Sequence, residues 1–498
     1  MKFRFIPVMM LAAGLATSCA NEEVVEVNTD PTGSAISFSP KVGRATKATE
    51  TTISNLGNFA VVARGVHPHG DVYSNFLIGS ETGGEVAKRP TNVSSTTGVW
   101  TLDHNVLWPS SIDNMLFWAY TASNNLSDEN KGNLLGGATF SFTDNTPKIS
   151  GFQPKKADLT KEGESYYFDG ANQEDLMFAF TSQKRTESAS NVSLNFQHAL
   201  TQILIDAKSA EKTDGDHRIV KIKGAWIVNA KDKGDLAGDF KWDNSKKEAT
   251  SDPDWTASFS SNDITAYGSF YKNEQLLDDA TKTIDLLKSS SNQEPSLMLI
   301  PQDFEAWNAD ASEEDIVKNT NGVYIMLLCR VELRHEGSNH TGDDGANDDV
   351  FIDEPNKMHY HQQFPVNKEN KYDATEYGFV CVPITAPETT VDGDKVKGWQ
   401  MGTKYKYTLD ICGAASGAGI YPPDFDENIY KKLLPSDYKD YLTIGTRPTA
   451  TDADGNPIKK VGYPVLDSEI KFTVSVKDWV EWKPGNENGN ENGNENAR

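Results

Sequence analysis

The chain has 498 residues, a formal net charge of −24, 37% hydrophobic residues and 10% aromatic residues. This length is enough for two or more domains that each bury a core, and the aromatic content excludes a disordered acidic chain. The acidic balance argues against binding to nucleic acid or to an anionic lipid surface, because neutralisation of phosphate supplies most of the affinity of nucleic-acid-binding proteins.

The first residues predict a lipoprotein signal peptide. Residues 1–4 carry two basic side chains, and the apolar run Phe5–Leu15 is too short to span a bilayer as a helix, which is typical of a secretory signal. Small residues then lead to Cys19, in a pattern that resembles a bacterial lipobox. We expect a signal peptide over residues 1–18, acylation of Cys19 that holds the chain in outer-membrane lipid, and an acidic tether over residues 19–34. The alternative is an ordinary signal with an incidental cysteine.

After the tether, the sequence predicts a mainly β protein. Short runs of β-branched and aromatic residues alternate with clusters of Asn, Asp, Gly, Ser and Pro, as in sandwiches and barrels. Helical patterns are few and short, for example over residues 273–287 and 427–434. Because strand density restarts near Ser190, we expect two tandem β-sandwich domains over residues 35–190 and 191–484.

The clearest strand pattern lies near the C-terminal end of the sequence. Four apolar residues alternate there with polar ones, so that they share one face of an extended chain. They are Ile470, Phe472, Val474 and Val476. Residues 485–498 repeat Asn, Glu and Gly with a single Ala as the apolar side chain, and they predict a disordered tail.

The sequence contains no catalytic or nucleotide-binding motif. A phosphate-binding glycine loop, a G-x-S-x-G elbow and an H-E-x-x-H helix are all absent, and the 72 acidic residues single out no carboxylate pair. We therefore expect neither enzyme activity nor a cofactor. Three cysteines follow Cys19 within apolar runs, and we predict that they are small buried hydrophobic side chains. They are Cys329, Cys381 and Cys412.

Four histidines raise the question of a metal site. His359 and His361 would share one face of a strand, and His335 and His340 lie nearby in the sequence, so that zinc or copper binding is one interpretation. Solvated loop histidines are the ordinary outcome. We therefore predict no metal ligands.

Read in order, several segments resemble the fimbrillin family of Bacteroidetes, the lipoprotein precursors of pilus subunits. The resemblance extends from Cys19 to about Trp482. The matching segments are Ile36–Phe38, Arg44–Ala45, Leu56–Val61, Trp108–Pro109, Leu116–Tyr120, Leu194–Leu200, Leu299–Gln302, Trp399–Tyr407, Phe472–Val476 and Trp479.

The resemblance implies two sandwiches of transthyretin-like topology and a fimbrial subunit, tip, anchor or adhesin at the outer-membrane surface, with other pilus subunits as partners. It also implies cleavage between Arg44 and Ala45, which removes the strand-like segment 35–44. Loss of a strand exposes a hydrophobic groove that a strand from the next subunit fills. The alternating residues 470–476 are the candidate donor strand, and the alternative is that they form a strand of their own domain.

A surface lipoprotein that binds glycan is the alternative function. Sugar rings stack on exposed aromatic side chains, and Trp255 and Trp307 lie in polar stretches where they would form such platforms. In contrast, Trp108, Trp118, Trp226 and Trp479 lie in strand runs and predict core positions. The exposure of Trp255 and Trp307 therefore distinguishes a glycan-binding surface from a purely structural use of tryptophan.

Overall fold

β-strands build the fold, as the alternating sequence pattern predicts. The computed structural model of the chain describes residues 35–42, 53, 56–91, 98–122, 134–143, 146–154, 159–162, 165–168, 173–185, 191–208, 216–260, 265–278, 282–287, 296–308, 322–336, 350–353, 358–365, 372–391, 394–413, 416–423, 433–434, 443–444, 462–466 and 468–478. All secondary-structure elements in these ranges are β-strands, so the predicted mainly β fold class is confirmed. Among the same residues, no helix has the length and hydropathy needed to cross a bilayer.

The strands are numbered in chain order. They are β1 (Ser37–Val42), β2 (Phe59–Val66), β3 (Val72–Ile78), β4 (Glu85–Ala87), β5 (Trp100–Thr101), β6 (Asn114–Thr121), β7 (Thr139–Thr143), β8 (Thr146–Phe152), β9 (Leu159–Glu162), β10 (Ser165–Phe168), β11 (Met177–Lys184), β12 (Asn191–His198), β13 (Thr201–Lys208), β14 (Asp216–Val228), β15 (Lys233–Asp243), β16 (Glu248–Ser258), β17 (Ala266–Leu277), β18 (Thr283–Asp285), β19 (Leu297–Leu299), β20 (Tyr324–Glu336), β21 (Val350–Asp353), β22 (Met358–Phe364), β23 (Glu376–Pro383), β24 (Glu388–Val391), β25 (Asp394–Lys397), β26 (Thr403–Asp410), β27 (Thr443–Ile444) and β28 (Lys471–Asp478).

The first sheet has the order β3-β2-β6-β11-β12-β1-β5, with β4 beside β2. Its central strand β6 is buried on both faces. Met115 and Phe117 enter one core, which we call the first core, whereas Leu116 and Trp118 enter a separate apolar cluster on the other side of the sheet. Burial of both faces explains why this part of the sequence is continuously apolar rather than alternating.

Two further sheets enclose a core of their own in the second half of the chain. One has the order β18-β13-β26-β28 with β19 beside β13, and the other has the order β17-β14-β20-β22-β21 with β23 beside β20 and β27 beside β23. Side chains from both sheets, such as Ile205 and Tyr407 from one and Ile222 and Leu327 from the other, form a single buried cluster, which we call the second core. The two sheets therefore pack as a sandwich.

A fourth sheet, with the order β16-β15-β8-β7, joins the two halves of the chain. We call it the bridging sheet. Across it, the Nζ atom of Lys148 lies 2.6 Å from Oδ2 of Asp235 and lowers the pKa of that carboxyl. The largely polar strand β16 is thus part of an ordered sheet.

Strand pairing bears on where the two domains divide. β12 begins at Asn191 and pairs with β1 over six residues, so that it groups with the strands that precede Ser190. β13, which begins at Thr201, is the first strand of the second sandwich. The division into two domains stays a proposal, and strand pairing favours a boundary between β12 and β13.

The helix predicted over residues 273–287 is wrong, because β17 and β18 occupy this segment. Leu277 at the end of β17 pairs with Val220 of β14 and is buried in the second core, as are Leu286 and Leu287. Ladder hydrogen bonds and core burial outweigh the weak local preference for a helix. The other helical pattern, over residues 427–434, lies outside the described residues except at its last two positions.

The three cysteines are buried thiols, as predicted. Cys329 and Cys412 belong to the core of the second sandwich, and Cys381 belongs to a neighbouring cluster. Burial raises the pKa of the Cys329 thiol well above its ordinary value. Because the thiolate is the reactive form, these side chains act as packing groups.

We predict that Gly268→Ala disrupts the pairing of β17 with β14. A Cβ atom at Gly268 would lie 2.0 Å from the carbonyl oxygen of Ala225, a backbone atom that cannot rotate away. We expect the free energy of unfolding to fall by about 3 kcal/mol, as in a severely overpacked core. Urea denaturation monitored by tryptophan fluorescence measures this change. Gly83→Ala is the matched control, since its Cβ would meet no atom within 4 Å, and equal losses in both variants would contradict the prediction.

Candidate functional site

β1 lies in the interior of the first sheet, with neighbours on both sides. It runs parallel to β12 along its whole length and antiparallel to β5 at its start. Just before β1, the N–H of Ile36 donates to the carbonyl oxygen of Val106 at 2.8 Å. Removal of β1 would therefore leave unpaired backbone groups on β12 and open a groove into the first core.

The side chains of β1 and the residue before it alternate between the core and the outer face. Four of them are buried: Ile36, Phe38, Pro40 and Val42. The Phe38 ring makes edge-on contacts with Phe59 and Phe117, at centroid distances of 6.0 and 6.2 Å. The intervening residues Ser37, Ser39 and Lys41 are half-buried. β1 is thus held by apolar burial on one face and by backbone hydrogen bonds at its edges.

The predicted processing and lipidation residues lie outside the described residues. Arg44 and Ala45 follow the end of β1 by two and three positions in the sequence, and Cys19 precedes it. A cut between Arg44 and Ala45 would separate β1 from every other strand of the described chain. The roles of these three residues stay predictions.

The candidate donor strand lies at the edge of the second sandwich. β28 pairs antiparallel with β26, and no other described strand pairs with it. Ile470 is buried, Phe472 and Val474 are half-buried against the second core, and Val476 is 40% exposed. In this structure the segment forms a strand of its own domain, as the alternative interpretation expects. Its role as a donor strand stays a prediction.

A buried acidic group lies in the sheet that carries β28. The Oδ2 atom of Asp206 on β13 lies 2.7 Å from Nζ of Lys406 on β26, and Asp285 on β18 is its ladder partner. Burial, together with the neighbouring Asp285 carboxyl, raises the pKa of Asp206 to about 7. Because the folded chain holds this proton more tightly than the unfolded chain, Asp206 contributes less to stability as the pH rises from about 4 to about 7.

The exposure of the tryptophans argues against the glycan-binding alternative. Trp307 is only 2% exposed, and half-buried Trp255 donates from Nε1 to the carbonyl oxygen of Ala199 at 2.7 Å. The interpretation of Trp255 and Trp307 as surface platforms is therefore wrong, since Trp255 packs against one apolar cluster and Trp307 belongs to another. Three tryptophans of strand runs are buried, as predicted: Trp108, Trp118 and Trp226. The fourth, Trp479, lies outside the described residues.

Three of the four histidines come together on neighbouring strands. His335 of β20 is the ladder partner of His359 of β22, and His361 follows two residues later on the same face. The expectation of solvated loop histidines is wrong for His335 and His359, which are 9% and 7% exposed. Cross-strand packing of the imidazoles removes them from water. His340 lies outside the described residues.

Comparison with known proteins gives a family match. The profile described as fimbrillin-like matches residues 46–327, more than half of the chain. No curated protein matches the sequence. Among solved structures, a fimbrial protein from Bacteroides vulgatus is 15% identical with a TM-score of 0.41, covering 76% of this chain and 96% of that chain. The C-terminally truncated tip fimbrial protein Mfa3 from Porphyromonas gingivalis is 9% identical with a TM-score of 0.28, covering 89% of this chain and 99% of that chain.

We predict that Phe38→Ala lowers the free energy of unfolding by about 4 kcal/mol, because truncation of a buried Phe removes apolar contacts and leaves a cavity. Chemical denaturation followed by circular dichroism measures the loss. Ser39→Ala is the matched control on the outer face of β1. It removes a hydrogen bond from Nδ2 of Asn191 at 2.6 Å, and we expect a loss of about 1 kcal/mol. Similar losses in both variants would show that the first core does not depend on Phe38.

Proposed function

The chain belongs to the fimbrillin-like family, and we propose that it is the precursor of a fimbrial subunit that joins other subunits by strand exchange. In this proposal the precursor is exported, acylated at Cys19 and presented at the outer-membrane surface. Cleavage between Arg44 and Ala45 then releases β1, and residues 470–476 of a neighbouring subunit of the same or another kind fill the groove that β1 leaves. The fimbrium is the resulting location.

The observation that carries the proposal is a sequence pattern shared by two strands. Residues 36–42 are Ile-Ser-Phe-Ser-Pro-Lys-Val, and residues 470–476 are Ile-Lys-Phe-Thr-Val-Ser-Val. Ile, Phe and Val stand at the same first, third and seventh positions, and polar residues fill the even positions of both segments. Because side chains alternate along a strand, the two segments present the same apolar face. A donated segment would thus place Phe472 where Phe38 lies.

Burial favours transfer of the segment from its own edge position into a vacated groove. Val42 is 9% exposed in the groove, whereas Val476 is 40% exposed at the edge of the second sandwich. Phe38 is fully buried, and Phe472 is half-buried. At the position of β1 the segment would pair with β12 over six residues and with β5 over two, which equals the eight residues over which β28 pairs with β26. The deeper apolar burial is therefore what stabilises the exchanged state.

Cleavage supplies the physical switch in this proposal. While β1 is covalently attached, its effective concentration at the groove exceeds that of any strand from a second chain. After a cut at Arg44, β1 is held only by non-covalent contacts and is exchangeable. Because the groove and residues 470–476 are different surfaces, the contact is heterologous and repeats from subunit to subunit. A tip or anchor subunit needs only one such contact, and it is the alternative within the same proposal.

We predict that cleavage after Arg44 converts the chain from a monomer into oligomers. Native mass spectrometry compares residues 20–498 before and after limited trypsin treatment, and a chain produced from Ala45 onward serves as a second cut form. We expect Phe472→Asp to keep both cut forms monomeric, since it places a charge in the apolar pocket of Phe38. Thr473→Asp, on the opposite face of the strand, is the matched control and should assemble.

Two outcomes would contradict this assembly prediction. Monomers both before and after cleavage would exclude strand exchange as the mode of assembly. Equal assembly of Phe472→Asp and Thr473→Asp would exclude residues 470–476 as the donor strand, although another segment would still be open to test.

We predict that Cys19 carries the lipid and that Cys19→Ala abolishes it. Mass spectrometry of the N-terminal peptide of membrane-associated protein detects the acyl chains, and Ser18→Ala is the matched control that keeps the cysteine. Sequencing of protein recovered from the cell surface then separates the subunit types. An N-terminus at Ala45 identifies a polymerising subunit, and an acylated Cys19 identifies an anchor-like or tip-like subunit. Acylation that persists in Cys19→Ala would contradict the assignment.

A further inference from the structure

Two histidines meet head to head at the end of a sheet that takes no part in the proposed strand exchange. The Nε2 atom of His335 on β20 lies 3.0 Å from the Nε2 atom of His361 on β22, and the planes of the two rings differ by 16°. The ladder sets this arrangement, because His361 is two residues beyond His359, the direct partner of His335. The imidazoles therefore point their Nε2 atoms toward a common point between the strands.

This spacing is close to that of two ligands on one metal ion. Zinc binds imidazole nitrogen at about 2.0–2.1 Å, so two nitrogens of a tetrahedral site lie about 3.3 Å apart. His335 and His361 would reach that separation by moving apart a few tenths of an ångström. Neutral imidazole nitrogen is also a preferred ligand of copper and nickel. In the structure, the two nitrogens share a hydrogen bond at the position that the ion would take.

The pair is held in place by its surroundings. His335 is 9% exposed, and the ring of His359 lies against it at a centroid distance of 5.3 Å. On the other side of His335, the backbone ladder continues into β14, where Asp216 is its register partner. The nearby cationic side chain of Arg218 donates from Nε to Oε1 of Gln363 at 2.8 Å. Rigid packing reduces the ordering that an arriving ion must impose on its ligands.

We propose that His335 and His361 bind a divalent transition-metal ion. Within the residues that the structure describes, no group of three histidine, cysteine or acidic side chains converges on one point, and in this proposal two protein ligands and water complete the coordination. Copper(II) is the preferred ion, ahead of nickel and zinc, according to the general order of affinities for nitrogen ligands. The bound ion cross-links β20 to β22 and thereby stabilises the outer strands of this sheet. This inference is independent of the proposed function, because neither β1 nor β28 contributes a ligand.

Copper titration tests the site in the chain of residues 20–498 without a polyhistidine tag. We expect calorimetry to give one copper(II) ion per chain and electron paramagnetic resonance to show coupling to two nitrogen nuclei. Replacement of either ligand, in His335→Gln or His361→Gln, should weaken copper binding at least about tenfold. Loss of a residue that merely hydrogen-bonds to a metal ligand already weakens metal binding by about that factor. The exposed loop residue His69 provides the matched control, and His69→Gln should bind copper as tightly as the native chain.

Two results would overturn the proposal. One is copper affinity in His361→Gln equal to that of the native chain, with an unchanged circular dichroism spectrum. The other is the absence of nitrogen coupling in the resonance spectrum of the native chain, a measurement that needs no variant to fold. Magnesium, which prefers oxygen ligands, should give no heat above dilution. Equal binding of magnesium and copper would identify a non-specific acidic surface instead.

Discussion

The backbone pairing that β1 provides to β12 is the interaction on which the rest of the structure depends. Each strand of a sheet supplies its neighbours with partners for N–H and C=O groups, and a missing strand exposes a row of these groups beside an open groove. β1 meets this requirement for β12 over six residues, and Phe38 lies within the first core. A segment of six residues thus completes a core to which β2 to β6, β11 and β12 contribute.

The bridging sheet connects the two halves of the chain. β8 before the proposed boundary pairs with β15 after it, so that the halves of the chain share a sheet and a core. At the far end of the β15–β16 hairpin, Nδ2 of Asn244 donates to the carbonyl oxygen of His69 at 2.9 Å. These contacts tie the sheet that holds β1 to the second half of the chain, in contrast to domains joined only by a linker.

The sequence predicted those features that depend on one strand at a time. Strict alternation identified β28, and apolar neighbours identified Trp226 and Cys329 as core residues. Features that depend on pairing between strands could not be predicted from the sequence, because register is a property of two segments that lie far apart in the chain. The meeting of His335 with His361 and the burial of Trp307 belong to this second class. The polar strand β16 escaped prediction for a related reason, since its many exposed side chains give no clear alternation.

The parallel alignment of β1 with β12 has a consequence for the shape of a fibre built by the proposed exchange. The buried positions Ile36, Phe38, Pro40 and Val42 follow one another in a fixed order. A donated segment reproduces this order only when it runs in the same direction as β1, because reversal would bring Phe472 to the position of Pro40. Each subunit would therefore join in the same orientation as the one before it. Such a fibre is polar, with two chemically different ends, and its elongation at one end is independent of events at the other.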